Sequence, residues 1–482
     1  MAHLPDEITM PLPLGSISRD RRVAPQIGYV DLLRYGKTYF RSPVFFLEEI
    51  ARQKGDIVFF QAFNKSIVFL NHPDYVRQVL QTRVSNYVRG QAIDDLAHLL
   101  GNGLFRSSGD LWRSQSALMQ PAFKRNPVEA AAGPISSATE DIVRRWSLAA
   151  ERGEAVNVIP DMRRLSFDSL YRTMLSEDHP VDFEGMDQAL TVIMDDTAAN
   201  NYALRALWRT ALVFAGRSLQ LPVEVREALA YLDAHAYALI QDCRQKKRAG
   251  LLMTLLLESA DQGTIDDRQI RDELMNVFFA GYETTAVALV WALHLLATHD
   301  TAANRLQGEL EAVLVGQAPS VGDVPALAYT RMILSETLRL YPPAWGFVRL
   351  AVEEDEIAGY TIPRGTIVVM CPYLLHRNPD FWEDPEVFRP ERFESGHATE
   401  AIRSCYIPFG DGPHVCIGKH FALMVGRLAL ARLAQVFRLV PVSDEPVAFV
   451  TRITIQPRHP LIMTPVRRSV GSGASANAPP FT

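Results

Sequence analysis

The chain has 482 residues, 48% of them hydrophobic, which is enough apolar material for one large core and argues against a disordered chain. Lys plus Arg is 49 against 55 for Asp plus Glu, and the resulting charge of −6 excludes the basic footprint of a nucleic-acid binder. Four cysteines (Cys243, Cys371, Cys405, Cys416) without C-x-x-C spacing exclude a disulfide framework and point to a reducing, cytoplasmic setting.

Residues 1–40 read as a proline-containing lead-in along the surface, without an apolar run suited to a signal or an anchor. Ser42–Lys54 predicts a short helix closed by Gly55. Ile57–Phe60 and Ser66–Phe69 predict a hairpin about an Asn64-Lys65 turn, and His72-Pro73-Asp74 opens a helix through Leu80. Ser85–Leu111 carries glycines at 90, 101, 103 and 109 and reads as loop broken by short helix. Trp112–Phe123 predicts a helix ending near Pro121, and further helices fill roughly 129–248. The tail at 466–482 is small, polar and proline-containing, the composition of a disordered end.

Thr264-Ile-Asp-Asp267 reads as a helix start with Thr264 as N-cap, and the apolar pattern continues to about Thr298. Some thirty residues give about 45 Å, enough to cross a large domain. Its most apolar part, Thr284–Ala297, is bounded by Glu283 and His299 and is too short for about 30 Å of hydrocarbon. No membrane anchor is therefore expected. In the middle stands Ala280-Gly281-Tyr282-Glu283-Thr284-Thr285. A mid-helix glycine costs about 1 kcal/mol, so something is expected to approach that backbone closely. Thr284 can bond back to the Ala280 carbonyl and open the helix locally. Taken alone, an ordinary buried helix accounts for this stretch equally well.

Downstream, Glu336-Thr-Leu-Arg339 places acid and base on one helical face, before Tyr341-Pro342-Pro343 and Phe388-Arg-Pro-Glu-Arg392-Phe393. The stretch Phe409–Gly418 then reads F-G-D-G-P-H-V-C-I-G. Its glycines let backbone N–H groups converge on one sulfur, which favours the metal-binding thiolate. A helical pattern from Lys419 turns its positive end toward the same atom. The alternative for a lone cysteine is a buried free thiol beside a turn.

The pattern F-x-x-G-x-H-x-C-x-G resembles the haem-ligand loop of the cytochrome P-450 family, and the likeness runs from about Arg41 to Met463. It implies a mainly α fold with a small β-rich portion, one haem-thiolate domain spanning 41–465. It makes Cys416 the ligand to the iron of haem b (iron protoporphyrin IX). Trp112, Ala280, Gly281, Arg349, Phe409, Gly410, His414, Ile417 and Gly418 would cradle the cofactor. Glu283 and Thr284 would relay protons to the oxygen being cleaved, assisted by thiolate donation from the other face. Glu336, Arg339 and Arg392 would form a structural cluster behind the cysteine loop, with Trp345, Phe347, Val450 and Thr451 at the substrate pocket.

One departure matters. The family helix usually reads W-x-x-x-R, its arginine holding a haem propionate, but the fourth residue after Trp112 is Ser116; Arg89 and Arg113 are the nearby cations available to replace it. The implied function is monooxygenation of a small organic substrate, as a cytoplasmic monomer of secondary metabolism. Electrons would come from a separate redoxin (a ferredoxin or flavodoxin) and an NAD(P)H-dependent reductase, docking at Lys419, His420 and Arg427. A peroxide-driven haem oxidase and a non-catalytic haem-binding sensor are the competing readings.

Overall fold

The computed structural model describes residues 25–27, 42–62, 65–89, 96–200, 221–396 and 400–468. Its body is helical: α1 (Pro43–Lys54), α2 (Gly109–Phe123), α3 (Gly133–Arg152), α4 (Val158–Leu170), α5 (Phe183–Asn200), α6 (Val223–Lys246), α7 (Leu251–Asp261), α8 (Asp267–Thr298), α9 (Asp300–Leu314), α10 (Ala328–Leu340) and α11 (Lys419–Val436). The helix predicted from Trp112 thus begins at Gly109 and continues through Pro121 to Phe123. The expected tail at 466–482 begins too early, because Val466 and Arg467 still belong to a strand, Ile462–Arg467; the residues from 469 onward lie outside the described residues.

The β portion centres on a six-stranded sheet built from β1 (Gln26–Ile27), β2 (Ile57–Ala62), β3 (Lys65–Leu70), β4 (Tyr87–Val88), β6 (Phe347–Ala351) and β9 (Ile367–Met370). A short strand β5 (Val156–Asn157) and the hairpin of β7 (Asp355–Ile357) and β8 (Tyr360–Ile362) stand apart from it. The predicted hairpin is β2–β3, with Ile57 opposite Leu70; its turn at 63–64 lies outside the described residues. Part of the expected surface lead-in belongs to this sheet instead, because β1 pairs with Phe59 and Phe60 and Ile27 is buried. Arg349 lies within β6, opposite Val368 of β9. On its other side β4 sets Tyr87 opposite Ala351 and Val88 opposite Leu350, so the register carries Arg89 toward Arg349.

Helix α8 is the axis of the large core, packing most extensively on α4, and 32 residues give it about 48 Å. It starts two residues later than Thr264 capping would imply. Asp266 is the N-cap, its side chain accepting from Gln269 N–H at 2.8 Å, while Thr264 Oγ1 donates to the Ser259 carbonyl at 2.7 Å. Leu274, Met275, Phe278, Tyr282, Leu289 and Trp291 on this helix are fully enclosed. Among the described helices it alone has the length and hydropathy to cross a membrane, but its apolar window is mostly buried in the protein. Gly281 answers a packing demand: a Cβ there would lie 2.8 Å from Leu170 Cδ2 of α4. The close approach expected at this glycine is therefore made by a neighbouring helix.

The last strands are β10 (Phe437–Pro441), β11 (Phe449–Thr451), β12 (Ile455–Pro457) and β13 (Ile462–Arg467). β13 joins β10 and β5 in a three-stranded sheet, and β11–β12 is a hairpin resting near the middle of α8.

Candidate active site

The cysteine loop is shaped by two glycines at positive φ, Gly410 at 72° and Gly412 at 68°. Only glycine fits the second, since a Cβ would fall 2.0 Å from the Leu80 carbonyl oxygen. Cys416 N–H donates to the Phe409 carbonyl at 2.9 Å and closes the loop. The sulfur receives the Gly418 N–H at the start of α11. Burial pushes this thiol up, while the Gly418 N–H, Arg89 and Lys419 pull it toward thiolate. Cys243, Cys371 and Cys405 are buried in packed core, whereas Cys416 is exposed although it lies deep in the molecule. Its side chain is thus accessible although protein surrounds it.

The opposing wall belongs to α8. Residues 270–279 are all buried, then Ala280 is exposed and Gly281, Thr284 and Ala288 are half-buried. Positions 280, 284 and 288 fall on one helical face, so a core helix presents an accessible stripe only at its middle. Thr284 Oγ1 donates to the Ala280 carbonyl at 2.7 Å, the back-bond expected from the sequence. Phe105 lies edge-on to Phe279 at 5.7 Å, and the Arg89 guanidinium stands 5.9 Å over Phe105. Arg89 is thus shared by the two walls.

Arg89, Arg349 and His414 converge at one end. Arg89 Nη2 donates to the His414 carbonyl at 2.7 Å, and Arg349 Nη1 to the Val348 carbonyl at 2.8 Å. Burial lowers Arg89 to about 10, and burial with Arg89 nearby lowers Arg349 to about 9. Burial and both arginines hold His414 down to about 4, and its buried Nδ1 has no partner. Trp112 packs on His414 with ring centroids 4.0 Å apart. No ion pair among the described residues neutralises either arginine, and two enclosed like charges call for an anion. A flat macrocycle bearing two carboxylates suits these cations beside an accessible thiol, so the residues present fit haem b. Ser116 stands one turn beyond Trp112, and Arg113 is exposed and paired with Asp110. Of the two available cations, Arg89 is the one inside.

Glu283 points elsewhere. Its carboxylate receives Arg163 Nη2 at 3.2 Å, Thr454 Oγ1 at 2.9 Å and Gln456 Nε2 at 2.8 Å. Burial pushes it up, against the pull of Arg163, Thr454 and Gln456. Arg163 also lies 3.7 Å from Asp187, extending this buried chain to α5.

Behind the cysteine loop, Glu336 takes Arg339 through two hydrogen bonds of 2.7 and 2.8 Å, Arg392 Nε at 3.3 Å and the Arg389 N–H at 2.9 Å. Two guanidiniums on one carboxylate leave a surplus cation, which carbonyls answer: Arg339 donates to His376, Pro385 and Val387, and Arg392 to Glu383 and Asp384. His376 was not visible as a functional residue in the sequence. Its Nδ1 lies 3.2 Å from the Arg339 carbonyl, and its Nε2 accepts the Ile407 N–H at 3.0 Å. That pair of bonds requires the neutral Nδ1–H tautomer, and burial holds the ring down to about 3. It links the ion cluster to the strand of chain entering the cysteine loop.

The expected pocket residues are engaged differently from one another. Thr451 is buried with its hydroxyl 2.8 Å from Ser42 Oγ, and Trp345 Nε1 donates to the Arg452 carbonyl at 2.9 Å. Through these polar groups the two side chains brace the β11–β12 hairpin. Phe347 lies against the cysteine loop, its ring 3.7 Å from where a Gly410 Cβ would be, and Val450 is half-buried. Phe409 carries Lys419 Nζ 5.9 Å over its ring, and Ile417 packs on the large core.

Similarity to known proteins agrees with this geometry. A cyclooctat-9-en-7-ol 5-monooxygenase of Streptomyces melanosporofaciens is 32% identical over 427 residues, covering 86% of this chain and 89% of that protein. Cyclooctatin synthase of the same organism is 32% identical over 92% of this chain and 94% of its own. Pentalenene oxygenase of Streptomyces avermitilis is 30% identical over 90% and 94%. The family model described as Cytochrome P450 matches residues 25–463, so the chain belongs to the cytochrome P450 family as a haem-thiolate monooxygenase with haem b as its cofactor.

Proposed function

We propose that this monooxygenase inserts one oxygen atom into an apolar terpenoid-type skeleton, using electrons from a separate redoxin. The observation that carries the reading is the accessible stripe of Ala280, Thr284 and Ala288 at the middle of a mostly buried helix, together with a Cys416 that is accessible deep in the molecule. The substrate class is supported by the two Streptomyces relatives whose names give cyclooctat-9-en-7-ol and pentalenene as what they oxidise.

Haem, when bound, supplies the activation of dioxygen. The chain's own residues do the rest. Cys416 offers thiolate, kept available by the Gly418 N–H and by the cations Arg89 and Lys419. Arg89, Arg349 and His414 would hold the propionates, Arg89 in place of the arginine missing at Ser116. Thr284 presents Oγ1 to the pocket and hands a proton forward from it. Glu283, held by Arg163, Thr454 and Gln456, must release one of these partners to turn toward Thr284 and pass it a proton. Lys419 and His420 are exposed beside the cysteine loop and suit an acidic redoxin, with Arg427 half-buried behind them. We place the enzyme in the cytoplasm as a monomer.

The test is turnover of a panel of cyclic terpene hydrocarbons and alcohols with a ferredoxin, its reductase and NADPH, against hydrogen peroxide alone. Oxygenated product under the first condition is expected. Product only with peroxide, or none despite spectral binding, overturns the reading.

A further inference from the structure

Two of the three groups that hold Glu283 come from the β11–β12 hairpin, and they differ in kind from the third. Arg163 Nη2, 3.2 Å away, belongs to a guanidinium that can only donate. Thr454 Oγ1 at 2.9 Å and Gln456 Nε2 at 2.8 Å belong to a hydroxyl and an amide, each of which can also accept. Gln456 is joined to every member of the group. Its Nε2 donates to Thr454 Oγ1 as well, at 2.8 Å, and its Oε1 receives Arg163 Nη2 at 3.5 Å.

This arrangement suits a carboxylate and not a carboxylic acid. All three partners point hydrogens at Glu283, so a proton on either oxygen meets another donor. Bonds to the charged form are also about twice as strong as bonds to a neutral group. Protonation therefore weakens the hold. The hairpin backbone is fixed independently, by Trp291 Nε1 on the Ile455 carbonyl and Trp345 Nε1 on the Arg452 carbonyl, both at 2.9 Å. The change on protonation thus falls to side chains. The charged groups around Glu283 are Arg163 of α4, Arg452 of the hairpin, and Asp187 and Asp195 of α5 on the far side of Arg163; Tyr282, its neighbour on α8, is kept a neutral phenol by burial.

We propose that Gln456 and Thr454 are positioning residues that hold Glu283 while it is ionised and release it toward Thr284 once it carries a proton. The proposal deepens the monooxygenase reading and rests on it for the role of Thr284. In the step itself, the proton leaves a Glu283 carboxyl oxygen for Thr284 Oγ1, whose own hydrogen moves into the pocket. The carboxylate left behind is recaptured by the hairpin donors, and solvent water reloads it. Only the loaded acid turns to the site, so an ionised Glu283 does not draw the Thr284 hydrogen away from it.

Infrared difference spectra of the holoenzyme across a pH series test this, with the carbonyl band of protonated Glu283 identified by its loss in Glu283→Gln. Gln456→Met and Thr454→Val remove a donor while keeping bulk. Each donor favours the ionised form, so each variant should keep the band to higher pH, with about tenfold more protonated acid at a fixed pH above the parent's midpoint. Thr454→Ser restores the hydroxyl and should titrate as the parent. Thr284→Val should shift the frequency of the protonated band and leave the ionised carboxylate bands in place, whereas Gln456→Met should shift the carboxylate bands. If Gln456→Met does not fold, the near-isosteric Thr454→Val carries the same comparison. The proposal is overturned if neither donor variant moves the titration, if Thr454→Ser behaves as Thr454→Val, or if the protonated band ignores Thr284→Val. These outcomes do not depend on turnover, so a parent protein lacking a thiolate-haem spectrum refutes the monooxygenase reading separately.

Discussion

Glu283 and Thr284 are adjacent on α8 yet serve different surroundings: the carboxylate is 3.2 Å from Arg163 Nη2, whereas the hydroxyl faces the pocket 2.7 Å from the Ala280 carbonyl. Successive helical residues diverge by about 100°, so this division is built into the helix. The carboxylate sits in a buried polar network, and the neighbouring hydroxyl lies on the accessible face of the helix.

Thr284→Ala should therefore leave substrate affinity within about twofold while product formed per NAD(P)H falls roughly tenfold or more, with hydrogen peroxide appearing in its place. Arg163→Met should lower turnover by releasing Glu283 from its nearest cation, without touching the pocket. Coupling ratios measured beside substrate-induced spectral titrations check both. Unchanged coupling in Thr284→Ala would remove this hydroxyl from the chemistry.

Cys416→Ala should abolish the thiolate-type absorption of the reduced carbon monoxide complex, whereas Cys243→Ala, Cys371→Ala and Cys405→Ala should keep it. Those three thiols are buried, and burial pushes Cys371 and Cys405 up to about 12, away from metal-binding thiolate. Difference spectra of the four variants decide the assignment.

What could be read in the sequence was whatever depends on near neighbours. The cysteine loop, the Glu336–Arg339 pair and the Thr284 back-bond each lie within ten residues, and fixed spacing reports them. Helix starts were less legible: Asp266 takes the cap expected of Thr264, and the helix expected from Trp112 begins at Gly109. Contacts between distant segments were not legible. His376 meets Ile407 across 31 positions, and Asn276 meets Phe105 across 171, so no local pattern betrays either. Gly281 was seen as a point of close approach, but the sequence could not say that Leu170 makes it. Thr451 and Trp345 lie in the expected region, and only the fold reveals that Ser42 and the Arg452 carbonyl claim their polar groups.

His376→Ala should destabilise the protein by about 3 kcal/mol, since it strands the buried Ile407 N–H and Arg339 carbonyl and leaves a cavity. The loss should fall first on the cysteine loop, so haem should leave faster well below the midpoint of global unfolding. Thermal melts followed in parallel at the haem band and in the far ultraviolet check this. Coincident transitions would mean that His376 supports the fold generally.

Glu273 makes stability depend on pH in an identifiable direction. Burial raises it to about 7, with Asp272 adding to the rise and the Leu104 N–H and Gln269 opposing it. Its folded pKa exceeds the unfolded value, so the stability it contributes is present below about 4.5 and is lost as pH rises through about 7. Glu273→Gln should therefore gain on the parent between pH 5 and 8, by at most on the order of 3 kcal/mol. Denaturant midpoints at several pH values measure the difference, and parallel curves would show that the carboxylate is solvated.

The last prediction concerns Ser116. A charge-assisted hydrogen bond is worth about 1.5–3 kcal/mol, and a neutral hydroxyl cannot balance a propionate. Arg89 lies where it can make up the loss, since the β4–β6 register brings it to Arg349 and its Nη2 holds the His414 carbonyl. Two cations so placed repel each other, as the lowering of Arg349 by Arg89 shows, and a bound dianion relieves that repulsion. Arg89→Ala should speed haem loss about tenfold or more, and Arg349→Ala should do the same. Ser116→Arg should slow loss most in the Arg89→Ala background, where the compensating charge is gone, and less in the parent. Arg113→Ala should change nothing, because that guanidinium is exposed on Asp110. Haem transfer to excess apo-globin gives each rate directly. If Ser116→Arg fails to rescue Arg89→Ala while that variant still loses haem quickly, Arg89 does not stand in for the missing arginine, and its effect runs instead through Phe105 and the wall it supports.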